Sequence, residues 1–152
     1  MAQQIQARQS TELYLLVHGI TVTGRGESLG MSMEGDYSLP EKLGGYGLAM
    51  GDTPVAIDND TLFTAWGGCG LTDMVMISCA IVNGDGSGGW GDGRTMCQHI
   101  ANYTGANVYA SDAIQTIGLG WKGSLYQFRP NANDNGRLLA RPYPAVTKRV
   151  DR

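Results

Sequence analysis

Two residues of this chain could carry out covalent chemistry together: His18 and Cys79, each near the end of an apolar run. His18 follows residues 13–17 (LYLLV), and Cys79 falls inside residues 73–82 (DMVMISCAIV). A thiol is a poor nucleophile, but an adjacent imidazole can take its proton and later return one to a leaving amine. Gly19, directly after the histidine, leaves its backbone N–H open to a developing oxyanion, with the N–H of Cys79 as a second donor. Such donors are worth about 3 kcal/mol each in acyl transfer. In isolation each residue has a plainer reading: His18 as a satisfied histidine at a strand end, Cys79 as a core cysteine.

The elements that must position the pair are legible from apolar periodicity. Residues 13–17 have strand length and no polar alternation, which predicts a central parallel strand covered on both faces. Residues 73–82 predict a second central strand. In open α/β sheets, reactive groups gather at the carboxyl ends of strands, and both His18 and Cys79 lie there. Between them, residues 20–45 read as a long glycine-rich loop, with a short helix over residues 39–43 started by Ser38 and Pro40. Residues 47–50 and 53–57 flank Gly51-Asp52 and predict a hairpin. Asp58 or Asp60 then caps a helix over residues 61–66, which Gly67 and Gly68 end.

After Cys79, residues 83–93 (NGDGSGGWGDG) match neither a Walker loop nor a dinucleotide fingerprint. They read as a flap, with Asp85 and Asp92 too few for a calcium loop. Residues 94–104 carry Met96, Cys97, Ile100 and Tyr103 at helical spacing, with Gly105 as terminator. On that helix Cys97 reads as core, and His99, off the apolar face, as solvated. Residues 107–110 predict a third strand and residues 118–128 another strand or hairpin. Residues 131–136 (NANDNG) are a turn, and residues 137–150, with Pro142 and Pro144, can supply only an edge strand or a tail. The order predicts an α/β fold with a mostly parallel sheet and helices on both faces.

Composition bounds the rest. The chain has 152 residues, the size of one domain. Residues 1–11 read as an N-terminal arm and residues 129–152 as a C-terminal turn and tail. A net charge of −3 argues against a nucleic-acid surface, which needs clustered Lys and Arg. Three cysteines without CxxC spacing signal neither a disulfide framework nor a zinc site, so no metal and no cofactor is expected. No apolar run approaches the ~18 residues of a membrane span, and the N-terminus lacks a signal-peptide core. The expectation is synthesis in the cytoplasm with no membrane partner; export without a cleaved signal would leave no mark. Oligomeric state is not encoded legibly.

Taken together, an apolar strand ending in His-Gly, the hairpin GLAMGDTPVAI, a helix and an apolar strand carrying Ser-Cys resemble the caspase-like cysteine peptidases. That group includes metacaspases, clostripain, gingipains and the self-processing domains of large bacterial toxins. The likeness is closest to small bacterial caspase-like domains, through SCAIVNG (78–84), TGANVYAS (104–111) and Gly120-Trp121, and it spans roughly residues 13–128. It implies a caspase-like three-layer α/β/α sandwich with a small hairpin after the His-Gly strand. It also implies a thiol protease acting on a peptide or protein substrate, self-processing or delivered as a bacterial effector. Within it, His18 would be general base and acid, Cys79 the nucleophile, and Gly19 and Cys79 the oxyanion donors. Ser78, Ser111 and Asp112 would line the substrate pocket, with Asp112 either facing an Arg or Lys side chain or capping the strand end. The acidic residue that metacaspases carry before the cysteine is Ser78 here, a departure that bears on basic-residue preference.

Two other classes stand beside that one. A caspase-like interaction domain without catalysis predicts a thiol at Cys79 no more reactive than Cys97 and a Cys79–His18 separation too long for a hydrogen bond. A serine hydrolase is suggested by LLVHG and by GDGSGG at 84–89, but the chain has no GxSxG elbow.

Overall fold

The computed structural model describes residues 11–20, 45, 47–84, 91–115 and 120–139. The loop with its short helix at 39–43, most of the flap at 85–90, the N-terminal arm and the tail beyond Leu139 lie outside the described residues. In chain order the strands are β1 (Glu12–Leu16), β2 (His18–Ile20), β3 (Gly47–Met50), β4 (Thr53–Val55), β5 (Asp73–Ile77), β6 (Asn107–Ser111), β7 (Leu125–Phe128) and β8 (Arg137–Leu139). A 3₁₀ helix spans Asp60–Trp66, and the α-helix α1 spans Gly93–Thr104.

The architecture is mixed α/β. A five-stranded sheet has the order β1-β5-β6-β7-β8, and a three-stranded sheet the order β2-β3-β4. β1, β5 and β6 run parallel side by side, while β7 and β8 join antiparallel. Among the described residues, the apolar run at 13–17 therefore does not make a central strand. Among the described strands β1 is the edge of the main sheet, with Leu16 56% exposed and Leu13 and Tyr14 half-buried. Both sides of an edge strand can be apolar when each packs against something other than a flanking strand, so composition alone cannot tell edge from centre.

Period-two alternation sorts β5 and β6 into two faces. Met74, Met76, Val108 and Ala110 face the larger core, which α1 completes with Met96, Cys97, Ile100 and Ala101. Burying each large apolar side chain of this kind contributes about 1.5–3 kcal/mol. Val75 and Tyr109 face the other way, into a smaller cluster with Leu125. Helices on both faces were expected; among the described residues α1 and the 3₁₀ helix both belong to the larger core, through Phe63, Trp66, Met96 and Ile100.

α1 forms where the periodicity predicts it. Asp92, itself buried, caps its start by accepting the Arg94 and Thr95 N–H groups on Oδ1 at 3.1 and 3.2 Å, and the Thr95 hydroxyl on Oδ2 at 2.7 Å. Gly105 ends the helix in the left-handed region at φ 71°, donating to the Ala101 carbonyl. The hairpin also forms as expected, with Met50 opposite Thr53 across Gly51-Asp52. The helix over residues 61–66 is 3₁₀ rather than α, and neither aspartate caps it. Asn59 is the N-cap residue without a side-chain cap bond; its Oδ1 instead accepts the Ala56 N–H at 2.7 Å. Among the described residues no helix is long and apolar enough to cross a membrane.

Candidate functional site

β1 and β5 end level with each other, Leu16 opposite Ile77. At Val17 the backbone leaves the main sheet and enters the small one, where His18 pairs with Ala49 and Gly19 with Leu48. This handover brings His18-Gly19 beside the segment that follows β5. Gly19 is buried there, and a Cβ on it would overlap the Cys79 carbonyl oxygen. The glycine is thus demanded by close backbone approach.

Cys79 does not sit within a strand. β5 stops at Ile77, and residues 79–82 form a turn in which Ala80 adopts φ 48°. A left-handed alanine is uncommon and costs on the order of 1 kcal/mol, which the surroundings must supply. They do so with hydrogen bonds: Ala80 N–H donates to the Ala113 carbonyl at 2.9 Å and Val82 N–H to the Ser111 carbonyl at 3.1 Å. The half-buried Cys79 thiol donates to the Gln115 carbonyl at 3.7 Å.

His18 is exposed, and among the described residues no hydrogen bond joins it to Cys79. Strand alternation explains this. The face of β2 on which Gly19 meets Cys79 is opposite the face to which the His18 side chain projects. The two segments are neighbours through backbone, with no hydrogen bond between the His18 and Cys79 side chains among the described residues.

The other expected pocket residues have structural employment. Ser111 is fully buried; its hydroxyl donates to the Lys122 carbonyl at 2.6 Å and accepts the Ala113 N–H at 3.1 Å. Ser78 is 1% exposed, and among the described residues its Oγ has no hydrogen-bond partner. Neither hydroxyl faces solvent. Asp112 is half-buried, and its Oδ1 accepts the Ser124 N–H at 2.8 Å, which spends one oxygen on the following loop.

A pocket of about 320 Å³ lies between the β3–β4 hairpin and the 3₁₀ helix, lined by Met50, Val55, Leu62, Phe63 and Trp66. Its lining includes none of His18, Gly19, Cys79 or Gln115.

A second titratable cluster was not expected. Asp60, 1% exposed, accepts a hydrogen bond from His99 Nδ1 at 2.7 Å, tying the 3₁₀ helix to α1. The histidine read as solvated keeps its side chain 37% exposed but is anchored at one nitrogen. Tyr103, one turn further along α1, also hydrogen-bonds to Asp60. Burial pushes the Asp60 carboxyl above its ordinary value, outweighing the opposing pull of His99 and Tyr103. The Tyr103 hydroxyl is raised as well, by burial and by the carboxylate beside it. The signal that could have found this pair is weak: two residues 39 apart, neither in a motif.

Cys97 is fully buried, as core reading expects, and burial with Asp92 nearby pushes its thiol well above the ordinary range. Cys69 is half-buried and in no disulfide, its thiol donating to the Ala65 carbonyl at 3.9 Å. Among the described residues no group of three or more His, Cys, Asp and Glu side chains could hold a metal ion. Compared with known proteins, the chain matches no protein family, no curated protein and no solved structure.

Proposed function

We propose that this chain is a caspase-like cysteine endopeptidase whose nucleophile is Cys79 and whose general base and acid is His18. The observation that carries the reading is the packing of Gly19 on the Cys79 backbone at the carboxyl ends of adjacent parallel strands. That contact puts a His-Gly pair and a cysteine where α/β folds gather reactive groups.

In the reaction, β2 twists as substrate binds, bringing the imidazole of His18 round to Cys79, where it takes the S–H proton. The sulfur attacks the scissile carbonyl carbon, and the oxyanion is met by the N–H groups of Gly19 and Cys79. Protonated His18 then gives its proton to the leaving amine. Water, deprotonated by the same imidazole, hydrolyses the thioester and frees Cys79. Hydrogen bonds at catalytic pairs are often unformed without substrate, so the open resting geometry is compatible with this sequence of steps. The substrate is a peptide or protein, and the route needs no cofactor. Self-processing and delivery as an effector belong to the same reading.

The test is turnover of peptide reporters with arginine, lysine or aspartate before the scissile bond. Cys79→Ala and His18→Ala should each lower turnover by at least ~10³-fold. Equal turnover by Cys79→Ala protein would refute the peptidase.

A second reading, a caspase-like interaction domain without catalysis, is favoured by one observation: the exposed His18 makes no hydrogen bond to Cys79. It predicts that Cys79 reacts with a peptide electrophile no faster than Cys69. Cys69 is the fair comparison because it is also half-buried, whereas Cys97 is sealed in the core.

A further inference from the structure

The segment after β6 folds back as a clamp around Cys79. The Gln115 side chain grips the backbone of Lys122 from both sides: Nε2 donates to the Lys122 carbonyl at 2.7 Å, and Oε1 accepts the Lys122 N–H at 3.2 Å. The same Nε2 donates to the Ala113 carbonyl at 3.0 Å. That carbonyl is also the acceptor for Ala80 N–H, next to the cysteine. Ser111 reinforces the grip, since its hydroxyl shares the Lys122 carbonyl with Gln115. A bidentate amide contact of this kind leaves the backbone of residue 115 little freedom. Its own carbonyl is thereby held where the Cys79 thiol reaches it.

We propose that Gln115 is the positioning residue that parks Cys79: its amide clamp on Lys122 fixes the carbonyl that engages the thiol. The inference rests on Cys79 being the nucleophile. Two physical consequences follow. A sulfur engaged as S–H donor to a carbonyl must give up that bond before the proton can pass to a base and the sulfur can attack. The clamp closes through Lys122, whose backbone groups are held by two side chains of the 111–115 segment. Any event that draws residues 120–124 away releases the carbonyl and frees the sulfur. Cys79 reactivity is then set by residues 111–115 and 120–124 and not by the dyad alone.

The experiment is time-resolved alkylation of the full folded chain with iodoacetamide, followed separately at Cys69, Cys79 and Cys97 by peptide mass spectrometry. In this probe reaction the sulfur displaces iodide to form a thioether and the thiol proton passes to water. Gln115→Ala should raise the Cys79 rate about three- to tenfold, the worth of one modest hydrogen bond, with Cys69 unchanged and Cys97 still protected. A folded Gln115→Ala chain whose Cys79 rate equals that of the original overturns the proposal. If Cys97 becomes reactive, the variant has lost its fold and Gln115→Glu decides. That residue is nearly isosteric, keeps the acceptor for Lys122 N–H and loses both N–H donors; it should show the same selective rise, and its absence is equally fatal. A merely structural role would speed all three cysteines together. The readout is independent of peptide turnover, so loss of the clamp and loss of the peptidase reading register in different assays.

Discussion

Gly19 and Asp60 show how single residues can be fixed by their surroundings for reasons unrelated to their chemistry. Gly19→Ala places a Cβ against the Cys79 carbonyl oxygen. One backbone must shift, which should cost about 1–3 kcal/mol, read as a lower urea midpoint with unchanged slope. Asp60 carries a pH signature. Its carboxyl is raised above its usual 3.8 by burial, so the folded chain holds this proton more tightly than the unfolded one. Between 3.8 and the raised folded value, stability contributed by Asp60 falls as pH rises, and it is fully present below that window. In Asp60→Asn the fall is absent. The stability difference between the original chain and the variant should therefore decline with rising pH across that window, as denaturation at successive pH values would reveal; a difference that grows with pH contradicts it. His18 and Cys79 were legible as candidates because each closes an apolar run. The Asp60–His99 contact was not, because it joins two elements through side chains that carry no periodic signal.

At the scale of elements, the sequence is read most faithfully where local chemistry and tertiary packing agree. α1 has its apolar stripe, its Asp92 cap and its Gly105 terminator, and it forms over Gly93–Thr104. Asp92→Ala should cost about 0.5–2 kcal/mol, because three hydrogen bonds at the first turn lose their acceptor. Hydrogen exchange in the first turn of α1 should quicken more than in its last. The hairpin is equally plain, since Gly51 supplies the positive φ its turn needs. The end of β5 is misread for the opposite reason. SCAIV continues the apolar run, and the residue that turns the chain is an alanine at φ 48°, with no glycine, proline or asparagine to mark the break. β1 is misplaced because an apolar strand has the same composition at the edge of a sheet as at its centre, and only its neighbours distinguish the two.

For the whole molecule, the larger core sets stability. Phe128, fully buried on the α1 face, sits under Gly136 as well as in the core. Phe128→Ala should cost about 3–5 kcal/mol, whereas the exposed Leu138→Ala, on the edge strand β8, should stay within ~0.5 kcal/mol. Equal losses in urea denaturation would contradict the larger core's setting stability. The tight seat of Gly19 has a consequence for anyone surveying related chains. A glycine at this position is required by the meeting of two sheets whether or not the cysteine beside it is reactive. Its presence in a relative would diagnose shared architecture and say nothing of enzymatic competence. A relative that keeps this glycine while replacing both His18 and Cys79 would be a faithful copy of the scaffold with the reaction removed.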